Sequence, residues 1–166
     1  MATDKISEIA HAAKIYSDAA YLLNQSVELE QDDLKSLFPS QVLAALSLEL
    51  YIKTIYSIEK DSSKFSHNLE SIFNELEEST RIFIINKYDE LMKKRDMKDI
   101  EILGNTLNMH IDTSFESMLK IWSGVFVNTR YFYENKIANK TMVLFPELEI
   151  SLVSFILEKR PDFRIN

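Results

Sequence analysis

The chain has no cysteine, which excludes disulfides, a thiolate metal site and a cysteine nucleophile, and which suits a reducing compartment. It has two glycines, Gly104 and Gly124, and they stand far apart. Phosphate-cradling loops and dinucleotide fingerprints need several glycines close together, so both are excluded, and sheet-rich folds with their positive-φ turns are disfavoured. No apolar run approaches the roughly 20 residues that a membrane span requires. The opening MATDKISEIAHAAK carries charges at helical spacing where a signal peptide would have an apolar stretch, so the expectation is a cytoplasmic protein with no membrane association.

What is present supports a core. Of the 166 residues, 46% are hydrophobic, with 10 Phe, 7 Tyr and 1 Trp among them. A chain of this size forms one domain and buries about 70% of the surface its unfolded form exposes. The net charge of −7 opposes a broad nucleic-acid surface, which rests on many phosphate contacts, but leaves room for a local basic site or a basic protein partner.

Helical periodicity runs through most of the chain. Ile6, Ile9, Ala13, Tyr16, Ala20, Leu23 and Val27 draw one apolar stripe along a helix from about Asp4 to Val27, and the acidic stretch from Glu28 to Asp33 reads as an exposed connection. Pro39 and Ser40 are read as opening a second helix that reaches about Lys60, with Ser40 as N-cap. Its apolar residues, Val42, Leu43, Leu46, Leu48, Leu50, Ile52, Ile55 and Tyr56, point in nearly every direction, which marks a central helix whose wettest stripe is expected at Ser47 and Thr54. After a polar break at residues 60–66, helices are expected from about Asn68 to Glu78 and from Thr80 to Lys94, with a weaker one from Lys98 to Leu103. Thr113 and Glu116 have capping-box spacing ahead of a helix with the core face Phe115, Met118, Leu119, Trp122, Val125, Phe126 and Thr129. The segment Ile137 to Phe145 reads as irregular, and Pro146 and Glu147 begin a last helix that Pro161 stops near Lys159. The predicted fold is all-α: one domain over residues 1–166, a bundle of six to seven helices.

Few residue constellations suggest chemistry. Glu8 and His11 have the Glu-x-x-His spacing of di-iron bundles, but such a site needs a second copy on another helix, and neither His67 nor His110 follows a glutamate at that spacing. No metal or cofactor site is expected. Lys93, Lys94, Arg95 and Lys98 form the basic cluster of the chain, and at a helix C-terminus such cations are stabilised by the macrodipole with no ligand needed. Glu49 and Lys53 are spaced as an ordinary helix ion pair, yet they share a sector with Val42, Leu46 and Tyr56; they are either a snorkelling surface pair or a buried or interfacial one that needs partners from another element. Arg130, with Glu134 one turn on, falls at the border of a core face, where it serves as a structural ion pair or presents its guanidinium to a phosphate or carboxylate.

Three segments taken in order resemble the HEPN superfamily of small helical-bundle proteins from prokaryotic nucleotidyltransferase-linked, toxin–antitoxin and phage-defence modules. Leu46-Ser47-Leu48-Glu49-Leu50-Tyr51-Ile52-Lys53 is similar to the Leu-Glu-Leu-x-Leu-Lys run of many members. His67-Asn68-Leu69 resembles the start of their next helix, and Arg130-Tyr131-Phe132-Tyr133-Glu134 resembles the end of a late one. The likeness spans roughly Lys14 to Glu134 and implies a homodimer with a polar cleft formed by Glu49, Lys53, His67, Arg130 and Glu134. Catalytic members carry an arginine followed, after four to six residues, by a histidine. Here Arg130 is followed at those offsets by Asn135, Lys136 and Ile137, and no arginine precedes any of the three histidines at that distance. The resemblance therefore implies a non-catalytic accessory or regulatory protein that holds an operon-encoded protein partner or RNA. The alternative is a metal-independent endoribonuclease with rearranged active groups.

Overall fold

The computed structural model describes residues 2–29, 34–108, 110–130 and 146–163. Among these residues there are seven helices and no strand: α1 (Ala2–Leu29), α2 (Leu34–Lys60), α3 (Leu69–Asn74), α4 (Glu78–Met92), α5 (Lys98–Leu107), α6 (Phe115–Arg130) and α7 (Pro146–Lys159). None is long and apolar enough to cross a membrane. The all-α bundle expected from periodicity is the architecture found.

α2 is the central element. It packs along α1, and the buried Ala10 and Ala13 of α1 belong to the same core cluster as Ala45 of α2. Its other faces meet α3, α6 and α7. Tyr51, Ile52 and Ile55 are fully buried, as befits a helix surrounded on most sides. The second packed pair is α4 with α7, which run antiparallel, Phe83 against Phe155 near one end and Arg95 against Glu147 at the other. α6 closes the core with Phe115, Met118, Leu119, Trp122 and Val125, all buried; Phe115 meets Phe73 of α3 in a tilted pair at 4.8 Å and Tyr88 of α4 edge-on at 5.5 Å. Phe126, Thr129 and the segment 137–145 lie outside what the structure describes at side-chain level.

Three local expectations are corrected. α2 begins at Leu34, with Pro39 inside it, so Ser40 is a buried interior residue and not a cap. Proline costs that helix one ladder bond near its start, and the apolar residues Leu34, Leu37 and Phe38 continue the helical spacing ahead of it. The cap of α6 is also displaced by one residue. Ser114 Oγ accepts from the Ser117 amide at 3.3 Å, while the Thr113 carbonyl is taken by the Tyr88 hydroxyl at 2.8 Å. Finally, Ser47 and Thr54 are not the wet stripe of α2 but lie fully buried. Thr54 tolerates this because its hydroxyl donates back to the Leu50 carbonyl at 2.8 Å.

The short α3 ends at Asn74, and Asn68 caps its start by accepting from the Ser71 amide at 2.8 Å. At the start of α4 the Glu59 carboxylate of α2 accepts from the Glu77 amide at 3.0 Å, so a side chain of the central helix satisfies an amide that the next helix leaves open.

Candidate functional site

The central helix places Glu49 where only 2% of it reaches solvent. An isolated carboxylate at that depth would be costly, and two cations or potential cations approach it. Lys53, one turn on, donates to Oε1 at 2.7 Å and is itself largely buried. His67, in the linker before α3, sets its Nδ1 3.0 Å from Oε1 and 3.2 Å from Oε2. An Nδ1–H facing a carboxylate donates to it, which leaves the outer nitrogen, Nε2, as the acceptor of the neutral ring. The imidazole is 78% exposed, so a buried acid holds a surface ring in one orientation. The Asn68 cap beside it fixes the linker where it enters α3.

The same linker carries Phe65, 90% exposed, and Lys64, whose ammonium sits over the Tyr56 ring at 5.8 Å and donates to Glu75. Lys60 lies near Glu59 and Glu77. The lysines here are thus matched by acids, and the surface around His67 is amphipathic rather than basic.

Of the five residues expected at a polar cleft, Glu49, Lys53 and His67 are brought together. Arg130 ends α6, and its side chain lies outside the described residues, as does Glu134. Glu8 and His11 are both exposed on α1, and no group of three or more potential metal ligands exists among the described residues. Three members of the basic cluster have acidic partners: Lys94 donates to Glu90 at 2.6 Å, Lys98 lies 3.1 Å from Asp96, and Arg95 turns inward to Glu147. Lys94, with Lys87, holds the Glu90 carboxyl down to about 2.

A second polar cluster lies where α1, α2 and α7 meet. Ser17 Oγ is 2.6 Å and 2.7 Å from the two carboxylate oxygens of Glu149. The buried Tyr51 hydroxyl lies beside that carboxyl without a well-formed hydrogen bond, and Asp18, paired with Lys14, is close by. Burial pushes the Glu149 carboxyl up, helped by Asp18 and opposed by Ser17, Lys14 and Tyr51. Sequence reasoning missed this cluster, though the signal was present. Glu149 precedes Leu152, Val153 and Ile156 at helical spacing, the same apolar-sector placement that singles out Glu49.

Comparison with known proteins adds nothing to this geometry: no family model, no curated protein and no solved structure matches the chain.

Proposed function

We propose that this protein is a HEPN-like accessory module, non-catalytic and homodimeric, that binds a partner protein or RNA in a prokaryotic defence, stress or toxin–antitoxin setting. The observation that carries this reading is the buried Glu49 holding the exposed His67 through Nδ1. That arrangement spends a buried charge on orienting one surface ring, which is how a recognition group is fixed for a partner. The setting comes from the sequence resemblance alone, and the lack of an arginine-to-histidine motif argues for binding over cleavage.

The endoribonuclease alternative draws on the same pair. A carboxylate on Nδ1 leaves Nε2 free to take a proton, as a general base must. The two readings separate in one set of measurements: light scattering for mass, anisotropy of a labelled single-stranded RNA, co-purification with the product of the adjacent reading frame, and an RNA-cleavage assay in chelator. The accessory reading expects twice the chain mass of 19.3 kDa and binding of RNA or the neighbouring product without cleavage, weakened in His67→Ala. Cleavage that disappears in His67→Ala replaces it with the enzyme reading. A monomer that binds neither RNA nor the neighbouring product overturns it.

A further inference from the structure

His67 is the exposed member of a carboxylate–imidazole pair whose acid is buried, and that asymmetry suits a nucleophile. Glu49 meets Nδ1 with both oxygens, at 3.0 Å and 3.2 Å, while 2% of its side chain and 78% of the imidazole reach solvent. With the proton held on Nδ1, the lone pair of the neutral ring stands on Nε2, across the ring from the acid. Lys53 takes Oε1 alone, so Oε2 keeps facing the ring. The linker itself has other anchors, since Lys64 ties it to Glu75 at 2.6 Å and Asn68 caps α3. We infer that His67 is a phosphoryl-acceptor site, which takes the group onto Nε2 from an N-phosphoryl donor of the phosphoramidate class.

The Nε2 lone pair forms a bond to phosphorus as the phosphorus–nitrogen bond of the donor breaks, and the amine leaves with that electron pair. The imidazole becomes cationic, still carrying its proton on Nδ1, and the Glu49 carboxylate lies against the charge that develops. A carboxylate so placed also fixes the tautomer and the orientation of the ring. His11 and His110 are exposed too, yet neither has a hydrogen bond to a carboxylate among the described residues. Ligating a metal is the other common use of such a ring, but no group of three or more potential ligands exists among the described residues. Lys53 and Lys64 are engaged by Glu49 and Glu75, which leaves a phosphorylated ring open to a partner. Phosphoryl acceptance at His67 is independent of RNA or partner binding, and each can fail without the other.

The test is incubation of the full chain with phosphoramidate at mildly alkaline pH, followed by intact mass, peptide mapping and NMR of the modified ring. Wild type should gain a phosphoryl group at His67 about ten- to a hundredfold faster than at His11 or His110, the usual loss when the carboxylate behind a functional histidine is removed. The new bond should be to Nε2, lost in acid and kept in alkali. His67→Ala should leave only the slow reaction at the other two histidines. Glu49→Gln, with its fold checked by circular dichroism, should bring His67 down to their rate. If that variant does not fold, the comparison among the three histidines of the wild type decides alone. The inference is overturned by modification of His67 no faster than of His11 and His110, or by attachment at Nδ1.

Discussion

The Nδ1 atom of His67 lies 3.0 Å from a carboxylate oxygen of Glu49, although the two residues are 18 positions apart and differ greatly in exposure. Buried Glu49 cannot reach water, whereas His67 can. The loss of one partner therefore has unequal consequences. Lys53→Met strips Glu49 of its closest cation inside the protein and should lower stability by about 3 kcal/mol, the lower end for an uncompensated buried charge. His67→Ala removes an exposed partner and should cost about 1 kcal/mol or less. Urea denaturation of the two variants checks the order. Equal losses would mean that Glu49 is hydrated after all.

Arg95 joins two elements at once, reaching Glu147 of α7 at 2.6 Å and Asp99 of α5 at 2.5 Å, with only 12% of its side chain exposed. A planar guanidinium serves two carboxylates in different directions, and a single ammonium does so less well. Arg95→Met should cost about 2–3 kcal/mol, scaled down from a fully buried pair because Asp99 can turn to solvent. Arg95→Lys should recover less than half of that. Full recovery by lysine would show that charge alone holds the turn.

Ser47 offers a gain. Its hydroxyl is buried and has no hydrogen-bond partner among the described residues. Ser47→Ala removes an unsatisfied group with little change in volume and should stabilise the protein by about 1 kcal/mol. Thermal unfolding followed by the emission of Trp122, the one tryptophan and a buried one, gives the readout. A fall in melting temperature would mean that the hydroxyl has a partner in solution.

Ser47 also marks where reading the sequence reached its limit. Apolar periodicity gave six to seven helices, and seven are found among the described residues, because burial of a stripe is a local, repeating property. The apolar neighbours of Glu49 on the wheel, Leu46 and Tyr56, raised its burial as one of two readings, and the structure places it 2% exposed. Which polar residues of α2 face solvent was not legible. A helix enclosed on most sides has few wet positions, and serine and threonine can satisfy themselves against their own backbone, as Thr54 does. The partners of Glu49 and Glu149 lie on other helices, and the approach of His67 and Ser17 depends on packing that no window of sequence contains. The start of α2 and the cap of α6 were misplaced for a smaller reason: a proline near a helix start does not fix where the helix begins, and Ser114, next to Thr113, offers the same capping hydroxyl.

Tyr51 and Tyr88 make the last contrast. Both are buried, and burial pushes both phenols well above the ordinary value of 10.0, with Glu149 adding to Tyr51 and Glu147 to Tyr88. An acid raised in the folded state contributes stability that is complete below its ordinary value and lost as pH rises toward the folded one. Alkali should therefore unfold the protein, as these phenols ionise in the unfolded chain first. At neutral pH the two differ, because Tyr88 donates to the Thr113 carbonyl at 2.8 Å and Tyr51 lacks a well-formed bond. Tyr88→Phe should lower neutral stability by about 1 kcal/mol, and Tyr51→Phe should leave it unchanged or raise it. Above about pH 10 both variants should lose less stability than wild type with each further rise in pH, since each lacks one proton to release. Denaturation at neutral and alkaline pH, with phenolate absorbance recorded in parallel, decides the matter. If Tyr51 ionises in the native protein within the ordinary tyrosine range, its hydroxyl reaches water in solution and the effect of burial is overturned.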